Sequence, residues 1–549
     1  MSDGAQSEDL GLTGSPTDID HEAFYRALLG AAPPPAPQIR ASCSIVPWRR
    51  SADGLEVFWV RRSPTLRFMG GFWAFPGGGR SRGDANDEAA LVDATSGAPS
   101  GTTADAVTDP GPDAEPAVRD ALEADLAPGV VTAGLRELFE EVGLLPFVGA
   151  TDRAARIDGR RRLLAGDVSF AQLVLGSGWR LDLDRLAFAG RWLTPPFAPR
   201  RFDNRFFLLR WRSEDGSPRV DHQELDRGEW IAPERALERW RAGEIAAAPP
   251  TIHLLRVLAE DGPEAGSGRL LDTSECNLGP LRRIEFLPGA LLIPLRTPTL
   301  PPATHTNAFV IGRERAVLID PSTPFEDEQK ALFEALDALR AEGREVAEIW
   351  LTHHHPDHVG AAAVARRRLG VPIRAHQETA DRLRRGGLTV DGTLDDGEHF
   401  ELGMTGDPWP LEVVYTPGHA RGHLAFFDER HRTLIAGDLA STLSTIVIDP
   451  PEGDMDAYLA SLERAIALEP RALFPAHGPV TLRAVELLRE LRDHRLEREA
   501  ATLAAVRDGQ RRAEEIVPVV YPDLPPAVRP IAARQIQAHL ERLRRQGQI

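Results

Sequence analysis

The stretch Thr352-His353-His354-His355-Pro356-Asp357-His358 decides the fold of the C-terminal half of this chain, because it gathers four metal-binding side chains within six residues. These side chains are His353, His355, Asp357 and His358. Neutral imidazoles and a carboxylate are ligands that zinc and related divalent metals prefer. Alternate residues at the end of a strand point to the same side. The pattern therefore predicts a metal site that follows a buried strand.

Three further candidate ligands lie downstream, each at a turn after a short apolar run. They are His419 in Thr416-Pro-Gly-His419, Asp438 in Leu434-Ile-Ala-Gly-Asp438 and His477 in Phe474-Pro-Ala-His477. Seven ligands in this order resemble the metallo-β-lactamase family, and the resemblance implies a four-layer αββα sandwich. The other histidines of this half occupy no ligand position and are expected to be structural: His354, His376, His399, His423 and His431.

The resemblance also implies a role for each ligand. One ion is expected at His353, His355 and His419 and a second at Asp357, His358 and His477, with Asp438 bridging both. Asp357 is expected to serve catalysis as well, and Asp320 to support the ligand loop from behind. The ions are expected to be zinc, or else manganese or iron, and to activate water for hydrolysis. An ester, a thioester and a phosphodiester all stay open as the bond that is cut.

A second catalytic signature, Arg136-Glu137-Leu-Phe-Glu140-Glu141-Val-Gly143-Leu144, lies far towards the N-terminus. Helix residues three and four apart share a face, so the carboxylates of Glu137, Glu140 and Glu141 would lie together. Such crowded oxygens favour Mg²⁺ or Mn²⁺ bridging to a substrate diphosphate. The motif resembles the second half of the Nudix box. By this resemblance the three glutamates hold metal and activate water, and Arg136 orients them.

The first half of that box is displaced along the chain. Gly71-Phe-Trp-Ala-Phe-Pro-Gly77-Gly78 resembles the strand and glycine turn of the family, so Gly77 and Gly78 are expected to bind substrate. Asp84 stands where the family usually has glutamate and is expected to be a weaker peripheral ligand. The short spacer that normally follows has grown to the 51 residues between Asp84 and Arg136. Its small and acidic residues predict a disordered insert at about 85–130.

The branch of the Nudix family is indicated by segments outside the box. The insert itself and the run Trp192-Leu-Thr-Pro-Pro-Phe-Ala-Pro-Arg-Arg-Phe-Asp-Asn-Arg-Phe-Phe207 resemble the coenzyme A diphosphatases. Glu224 is a candidate general base from its position alone. Two readings of this domain stay open, an active diphosphate hydrolase and a degenerate module that only binds a ligand.

Composition limits the location and the partners. The chain has 549 residues, only two cysteines (Cys43 and Cys276) and a net charge of −18. Two cysteines are too few for a disulfide framework, so a reducing cytoplasm is the expected location. The polar N-terminus does not resemble a secretory signal, and no apolar run is long enough for a membrane span. The acidic charge weighs against non-specific binding of nucleic acid.

The chain is therefore expected to be an α/β multidomain protein. In order, the expected parts are a disordered segment at 1–36, a Nudix α/β/α sandwich at 37–260, a linker at 261–285, a metallo-β-lactamase αββα sandwich at 286–488 and a helical domain at 489–549. That last part resembles the small winged-helix appendage of relatives of β-lactamase-like protein 2. Packing on the hydrolase core or over its cleft is favoured for it over binding nucleic acid.

These parts together predict a bifunctional metal-dependent hydrolase. One site would split the diphosphate of a nucleotide-linked metabolite such as coenzyme A or acyl-CoA, and the other would hydrolyse an ester, thioester or phosphodiester. RNA processing by both domains is the less favoured alternative. A third hypothesis makes the Nudix domain a non-catalytic sensor that regulates the other half. The oligomeric state, the native metals and any communication between the sites stay open.

Overall fold

A computed structural model describes residues 38–96, 128–195, 198, 200–220, 223–271, 283–403 and 407–549. The segment at 1–36 and the central part of the insert lie outside the described residues, as does Cys276. Within the described ranges, no helix is both long enough and apolar enough to cross a membrane.

The first α/β unit is built on one seven-stranded mixed sheet with the strand order β3-β2-β1-β8-β7, in which β4 also pairs with β1 and β9 with β2. A separate short pair is formed by β5 and β6. Strands β1 and β8 run parallel. The strand bounds are β1 Ile39–Ser51, β2 Gly54–Arg62, β3 Trp73–Ala74, β4 Gly77–Gly79, β5 Thr95–Ser96, β6 Leu181–Asp182, β7 Leu186–Leu193, β8 Arg201–Arg210 and β9 Leu225–Ile231.

Two-residue alternation along β1 explains why this sheet carries helices on both faces. Cys43 and Ile45 enter one hydrophobic core, and Val46 and Trp48 enter another on the opposite face. Because neither face can be left in water, helices cover both, which makes an α/β/α sandwich. The helices of this unit are α1 Arg82–Ala90, α2 Val130–Val142, α3 Arg153–Leu164, α4 Phe170–Gly176, α5 Pro233–Arg241, α6 Pro249–Glu260, α7 Gly262–Ala265 and α8 Ser267–Leu271.

The second α/β unit has two sheets packed face to face. The first runs in the order β10 to β16 and the second in the order β17 to β21. The strand bounds are β10 Ile284–Leu287, β11 Ala290–Arg296, β12 His305–Gly312, β13 Arg315–Ile319, β14 Glu345–Leu351, β15 Ile373–Ala375, β16 Gly392–Thr393, β17 His399–Glu401, β18 Pro410–Tyr415, β19 Leu424–Asp428, β20 Thr433–Gly437 and β21 Ala472–Pro475.

Three stacked cores turn these sheets into a four-layer sandwich. Trp350 of one sheet and Phe426 of the other meet in the central core, with ring centroids 5.2 Å apart. The outer faces are covered by helices; in one of them, Leu332, Leu336 and Leu339 fall at helical spacing and are buried. The helices of this unit are α9 Glu326–Ala341, α10 Pro356–Val359, α11 Ala362–Leu369, α12 Gln377–Arg385 and α13 Met455–Ala467. The expected αββα arrangement is therefore present.

Three helices end the chain: α14 Ala484–Arg507, α15 Ala513–Val520 and α16 Arg529–Arg545. Helix α14 begins inside the region expected to be hydrolase core, and it is continuous through the expected boundary at 488. In its first half, Leu488 is buried with the outer core of the sandwich, whereas Ala505 near its end packs with α15 and α16. Because one unbroken helix serves both cores, the tail is attached rigidly to the sandwich.

Two expectations about loops differ from the structure. The linker expected from residue 261 begins with α7 and α8, and Leu270 is fully buried against the first unit. The insert expected to be disordered from about residue 85 begins with α1, which Ser81 caps, and regular structure continues to Ser96. In both cases a few apolar side chains pack in the core. The composition of these segments alone did not indicate that packing.

The first and second units share a packed interface. Phe72 of the first unit is fully buried in the core between the two sheets of the second, and its ring meets Phe286 edge-on at 5.5 Å. The indole of Trp240 donates to the carbonyl of Phe286 at 3.1 Å. Gly243 lies against the ring of His431, whose Nδ1 is held by Asp428 at 2.7 Å.

Gly243 provides a test of this interface. Its φ of +72° disfavours any side chain, and a Cβ would lie 2.3 Å from Cδ2 of His431. Gly166 has nearly the same φ, +73°, but a Cβ there would meet nothing within 4 Å. We expect Gly166→Ala to cost about 1 kcal/mol of backbone strain and Gly243→Ala to cost about 2–3 kcal/mol, because the interface clash is added. Urea unfolding of both variants measures the difference, and equal losses would contradict the interface.

Candidate functional sites

The histidine-rich stretch begins where strand β14 ends. Leu351 closes the strand, His353 and His355 follow in the turn, and Asp357 and His358 lie in the short helix α10. Pro356 occupies the first turn of that helix, where its missing N–H costs no hydrogen bond and its fixed φ favours the bend. The four candidate ligands are buried, with exposed fractions of 5% or less.

The other three candidate ligands come from the same edge of the sandwich. Asp438 follows the last residue of β20, and His477 follows β21. His419 lies in the connection between β18 and β19, where Gly418 with its φ of +137° packs against the backbone of Tyr458. A Cβ at Gly418 would lie 2.3 Å from the Cα of Tyr458, so glycine is required for this approach.

Two groups of ligand atoms form at this edge. In the first, Nδ1 of His355 lies 2.9 Å from Nε2 of His353 and 2.9 Å from Nε2 of His419. In the second, Asp357, His358 and His477 bring their ligand atoms within 4.8 Å of one another. Asp438 lies between the groups.

The distances from Asp438 show that it reaches both groups. One carboxylate oxygen lies 3.5 Å from Nε2 of His358 and 3.3 Å from Nε2 of His477. The other oxygen lies 3.4 Å from Nε2 of His419. The seven side chains therefore lie as two groups of three, with the Asp438 carboxylate near both groups.

The chemistry of these atoms fits a pair of divalent cations. Nε2 of His358 and Oδ1 of Asp438 are buried, and neither makes a hydrogen bond within the described part of the chain. Buried polar atoms are normally paired, so these converging nitrogen and oxygen atoms fit a divalent cation bound between them. Borderline metals such as zinc prefer this mixed set of imidazole and carboxylate ligands.

The Nudix-like motif forms helix α2, and its carboxylates share one face as predicted. Arg136 pairs with Glu137 at 2.9 Å and with Glu140 at 2.8 Å. The glycine turn contacts this helix despite the insert. The Gly77 amide donates to Glu141 at 2.8 Å. A Cβ at Gly78 would lie 2.4 Å from the carboxyl carbon of Glu137, so only glycine allows this contact.

Sequence models of three known families match the segments that carry these features. The metallo-β-lactamase superfamily matches residues 301–477, and the NUDT19 Nudix domain matches residues 29–258. The chain joins a Nudix domain to a metallo-β-lactamase domain. A β-lactamase-associated winged-helix domain matches residues 513–549, so the family assignment of the tail is confirmed as well. The two enzyme families make the chain a metal-dependent hydrolase, and the metallo-β-lactamase fold implies a binuclear metal site.

Individual relatives resemble the C-terminal half. A β-lactamase-like protein 2 homolog of Drosophila melanogaster is 29% identical over 258 residues, which are 44% of this chain and 84% of that protein. Its Caenorhabditis elegans counterpart is 26% identical over 250 residues, 44% of this chain and 80% of that protein. A hydroxyacylglutathione hydrolase of Bdellovibrio bacteriovorus is 29% identical over 178 residues, 32% of this chain and 64% of that protein.

Hydrogen bonds behind the ligands orient the metallo-β-lactamase site. Asp320, at a φ of +48°, accepts from Nδ1 of His358 at 2.8 Å and from the amide and hydroxyl of Thr352. This is the position expected for Asp320. His423, expected to be structural, accepts the amide of Asp438 on its Nε2 at 2.9 Å. Thr352 and His423 were missed as supports, although both are next to ligand segments in sequence.

The pKa values of these ligand side chains follow from burial and neighbouring charge. Burial lowers the pKa of His353 well below its usual range, and the nearby histidines add to this effect. Burial acts in the same sense on His358, but the carboxylates of Asp438 and Asp320 outweigh it and raise the pKa of His358 well above normal. Burial would raise the pKa of Asp438, yet His477 and His358 hold it well below its usual range.

In the Nudix domain, burial is the main cause of raised carboxyl pKa values. It raises the pKa of Glu137, that of Glu140 to about 7 and that of Glu141 to about 8. Glu224, the sequence-predicted candidate base, is near enough to raise the pKa values of Glu137 and Glu141 further. A bound cation would therefore stabilise the ionised form of these carboxyls.

Two charged residues of this site differ from expectation or were missed. Asp84, expected as a peripheral metal ligand, accepts from Nε of Arg136 at 2.7 Å and from the amide of Ser81 at 2.7 Å. Asp84 is almost fully buried and holds Arg136 in place. Its side chain, shorter than that of the usual glutamate, therefore has a structural role. Arg62, at the end of β2, lowers the pKa of Glu141 and was missed because no local pattern distinguishes it from Arg61.

Metal content tests the binuclear site. We expect the purified chain to retain two zinc ions at this site and Asp438→Ala to lose at least one, because both ligand groups share this carboxylate. Elemental analysis after dialysis measures the ions per chain. His399→Ala is the control, since His399 with Glu412 and Glu429 forms an exposed group of similar geometry. Retention of both ions in Asp438→Ala, or their loss in His399→Ala, would contradict the assignment.

The pH dependence of Mg²⁺ binding tests the Nudix carboxyls. With pKa values of about 7 and about 8 for Glu140 and Glu141, protons must leave before Mg²⁺ binds. Affinity should therefore rise between about pH 6 and pH 9 and then level off. The raised values also mean that stability without metal falls as pH rises from the unfolded pKa through this window. Calorimetric titration measures the affinity, and the same slope in Glu140→Gln would contradict the assignment.

Proposed function

We propose that this chain is a bifunctional hydrolase that cleaves a diphosphate in its Nudix domain and an ester-type bond in its metallo-β-lactamase domain. The observation that supports it is that the expected residues lie close together in both candidate sites. The seven ligands converge with their supports, and the glycine turn reaches the glutamate helix across an insert of 51 residues. A domain kept only for ligand binding has no need for buried carboxyls that face a cation.

In the metallo-β-lactamase domain, the residues position water and exclude bulk solvent. Bound metals would supply a water of lowered pKa and polarise the bond that it attacks. Asp438 contacts both ligand groups and so fixes their separation. Asp357 and His477 lie 3.7 Å apart on the second group, where Asp357 would orient the water. Among the three bond types, the thioester is supported by the relative named for hydroxyacylglutathione hydrolysis.

In the Nudix domain, both acidic and basic side chains would serve the expected diphosphate. Glu137, Glu140 and Glu141 would hold metal, and Glu224, whose charge raises the pKa of Glu137, would accept a proton from water. Arg62 adds positive charge beside Glu141. The Gly77 and Gly78 turn brings backbone close to the same carboxylates, so a substrate phosphate at the metal would touch it.

A molecule such as acyl-coenzyme A suits both domains, because it contains a diphosphate and a thioester. This substrate class is the one we favour. The net charge of −18 weighs against a polyanionic RNA as the substrate. A small metabolite carries fewer charges and needs only a local site.

A product assay on the full chain tests the proposal. We expect phosphopantetheine products from coenzyme A with Mg²⁺ or Mn²⁺, abolished in Glu140→Gln, and free acid from acyl-coenzyme A, abolished in Asp438→Ala. Each loss should be about a thousandfold, since a ligand or base is removed. The exposed acids Glu238 and Asp381 give control variants, Glu238→Gln and Asp381→Ala, which should keep both activities.

Other outcomes separate the alternatives. Shortened single-stranded RNA with metabolites untouched would move the function to RNA processing. Free acid without any diphosphate cleavage, under every metal supplied, would leave the Nudix domain as a sensor and overturn bifunctionality.

A further inference from the structure

The segment between Asp438 and helix α13 contacts one of the candidate metal ligands from behind. The carbonyl of Val447 accepts from Nδ1 of His419 at 2.6 Å. Because Nε2 of His419 faces the ligand group, this bond selects the tautomer and fixes the plane of the ring. The orientation of His419 therefore depends on where Val447 is held.

The C-terminal helices hold the two neighbours of Val447. A guanidinium nitrogen of Arg495 in α14 donates to the carbonyl of Ile446. The amide of Gln535 in α16 donates to the carbonyl of Ile448 at 3.3 Å. Arg495 also donates to the side-chain oxygen of Gln535 at 2.8 Å. Two helices thus clamp the backbone on both sides of the carbonyl that orients His419.

Arg495 is connected to a second ligand through an aromatic ring. Its guanidinium lies 5.4 Å from the ring centroid of Tyr458, and the Tyr458 hydroxyl donates to the carbonyl of Leu439 at 2.9 Å. Leu439 directly follows Asp438. Arg495 therefore reaches the backbone behind both His419 and Asp438.

Burial makes this arrangement costly unless its contacts are kept. Arg495 is only 1% exposed and Gln535 only 6%. A buried guanidinium is costly to remove from water unless hydrogen bonds and an aromatic face replace its hydration. Adjacent Arg534 strengthens the attachment by donating to the carbonyl of Pro450 at 2.6 Å.

We propose that Arg495 and Gln535 are positioning residues of the metallo-β-lactamase site, through which the C-terminal helices hold His419 and the backbone of Asp438 in their ligand orientation. The inference rests on the proposed binuclear site and assigns the tail a part in forming it. The tail then contributes to metal affinity rather than serving only as an attached domain. The ion at His353, His355 and His419 should depend on these contacts more than the ion at Asp357, His358 and His477.

Metal titration of two variants tests this inference. Arg495→Lys keeps the charge but lacks the planar fork whose two nitrogens reach Gln535 and Ile446 separately, and Gln535→Leu removes both bonds at similar volume. We expect each to weaken the first ion by about ten- to a hundredfold, as loss of a support behind a ligand does, and the second ion much less. Chelator competition with Co²⁺-loaded full-length protein, followed by its visible absorption, resolves the two ions. Excess Co²⁺ should restore hydrolysis.

Arg498→Lys is the matched control. Arg498 lies on the same helix, donates to the carbonyl of Val520 at 2.7 Å and covers the ring of Tyr521 at 5.2 Å, but it contacts only the tail. It should lose similar stability and keep both Co²⁺ affinities.

Three results would overturn the inference. They are unchanged affinity in both folded variants, equal weakening of both ions, and the same effect in Arg498→Lys. If Arg495→Lys does not fold, Gln535→Leu decides alone. A wild-type chain that binds no ion pair would instead refute the proposed site itself.

Discussion

The burial of the ligand cluster around Asp438 is the constraint on which the C-terminal half depends. Imidazoles and carboxylates are costly to remove from water unless each polar atom finds a partner. Here the outward-facing atoms are satisfied by protein, as when Asp320 accepts from His358 and the Val447 carbonyl accepts from His419. The inward-facing atoms are left to one another and to cations. Strand ends, turns and supporting loops all meet at this edge because the cluster requires them there.

The two candidate sites follow the same principle with different ligand atoms. The Nudix site is made of carboxylates on a helix, with Arg136 between them. The other site mixes imidazoles with carboxylates. Hard oxygen ligands favour Mg²⁺ or Mn²⁺ and imidazoles favour zinc-like metals, so the two candidate sites differ in the cations that their ligand atoms prefer.

Packing between the parts makes the chain more than a series of independent domains. Phe72 of the Nudix domain completes the core of the neighbouring sandwich, and Trp240 donates across the interface. At the other end, helix α14 belongs both to the sandwich and to the tail. Arg495 on this helix continues the connection towards the metal site.

The families and the candidate ligands could be predicted from the amino-acid sequence, because the spacing of H-x-H-x-D-H and R-E-x-x-E-E is set by local strand and helix geometry. The folded structure was needed to show which atoms face each other and what lies behind them. It moved Asp84 from metal ligand to anchor of Arg136, and it showed Arg62 beside Glu141. It also replaced the expected start of the linker with helices around the buried Leu270. These contacts join residues distant in the chain, and packing rather than any local pattern sets them.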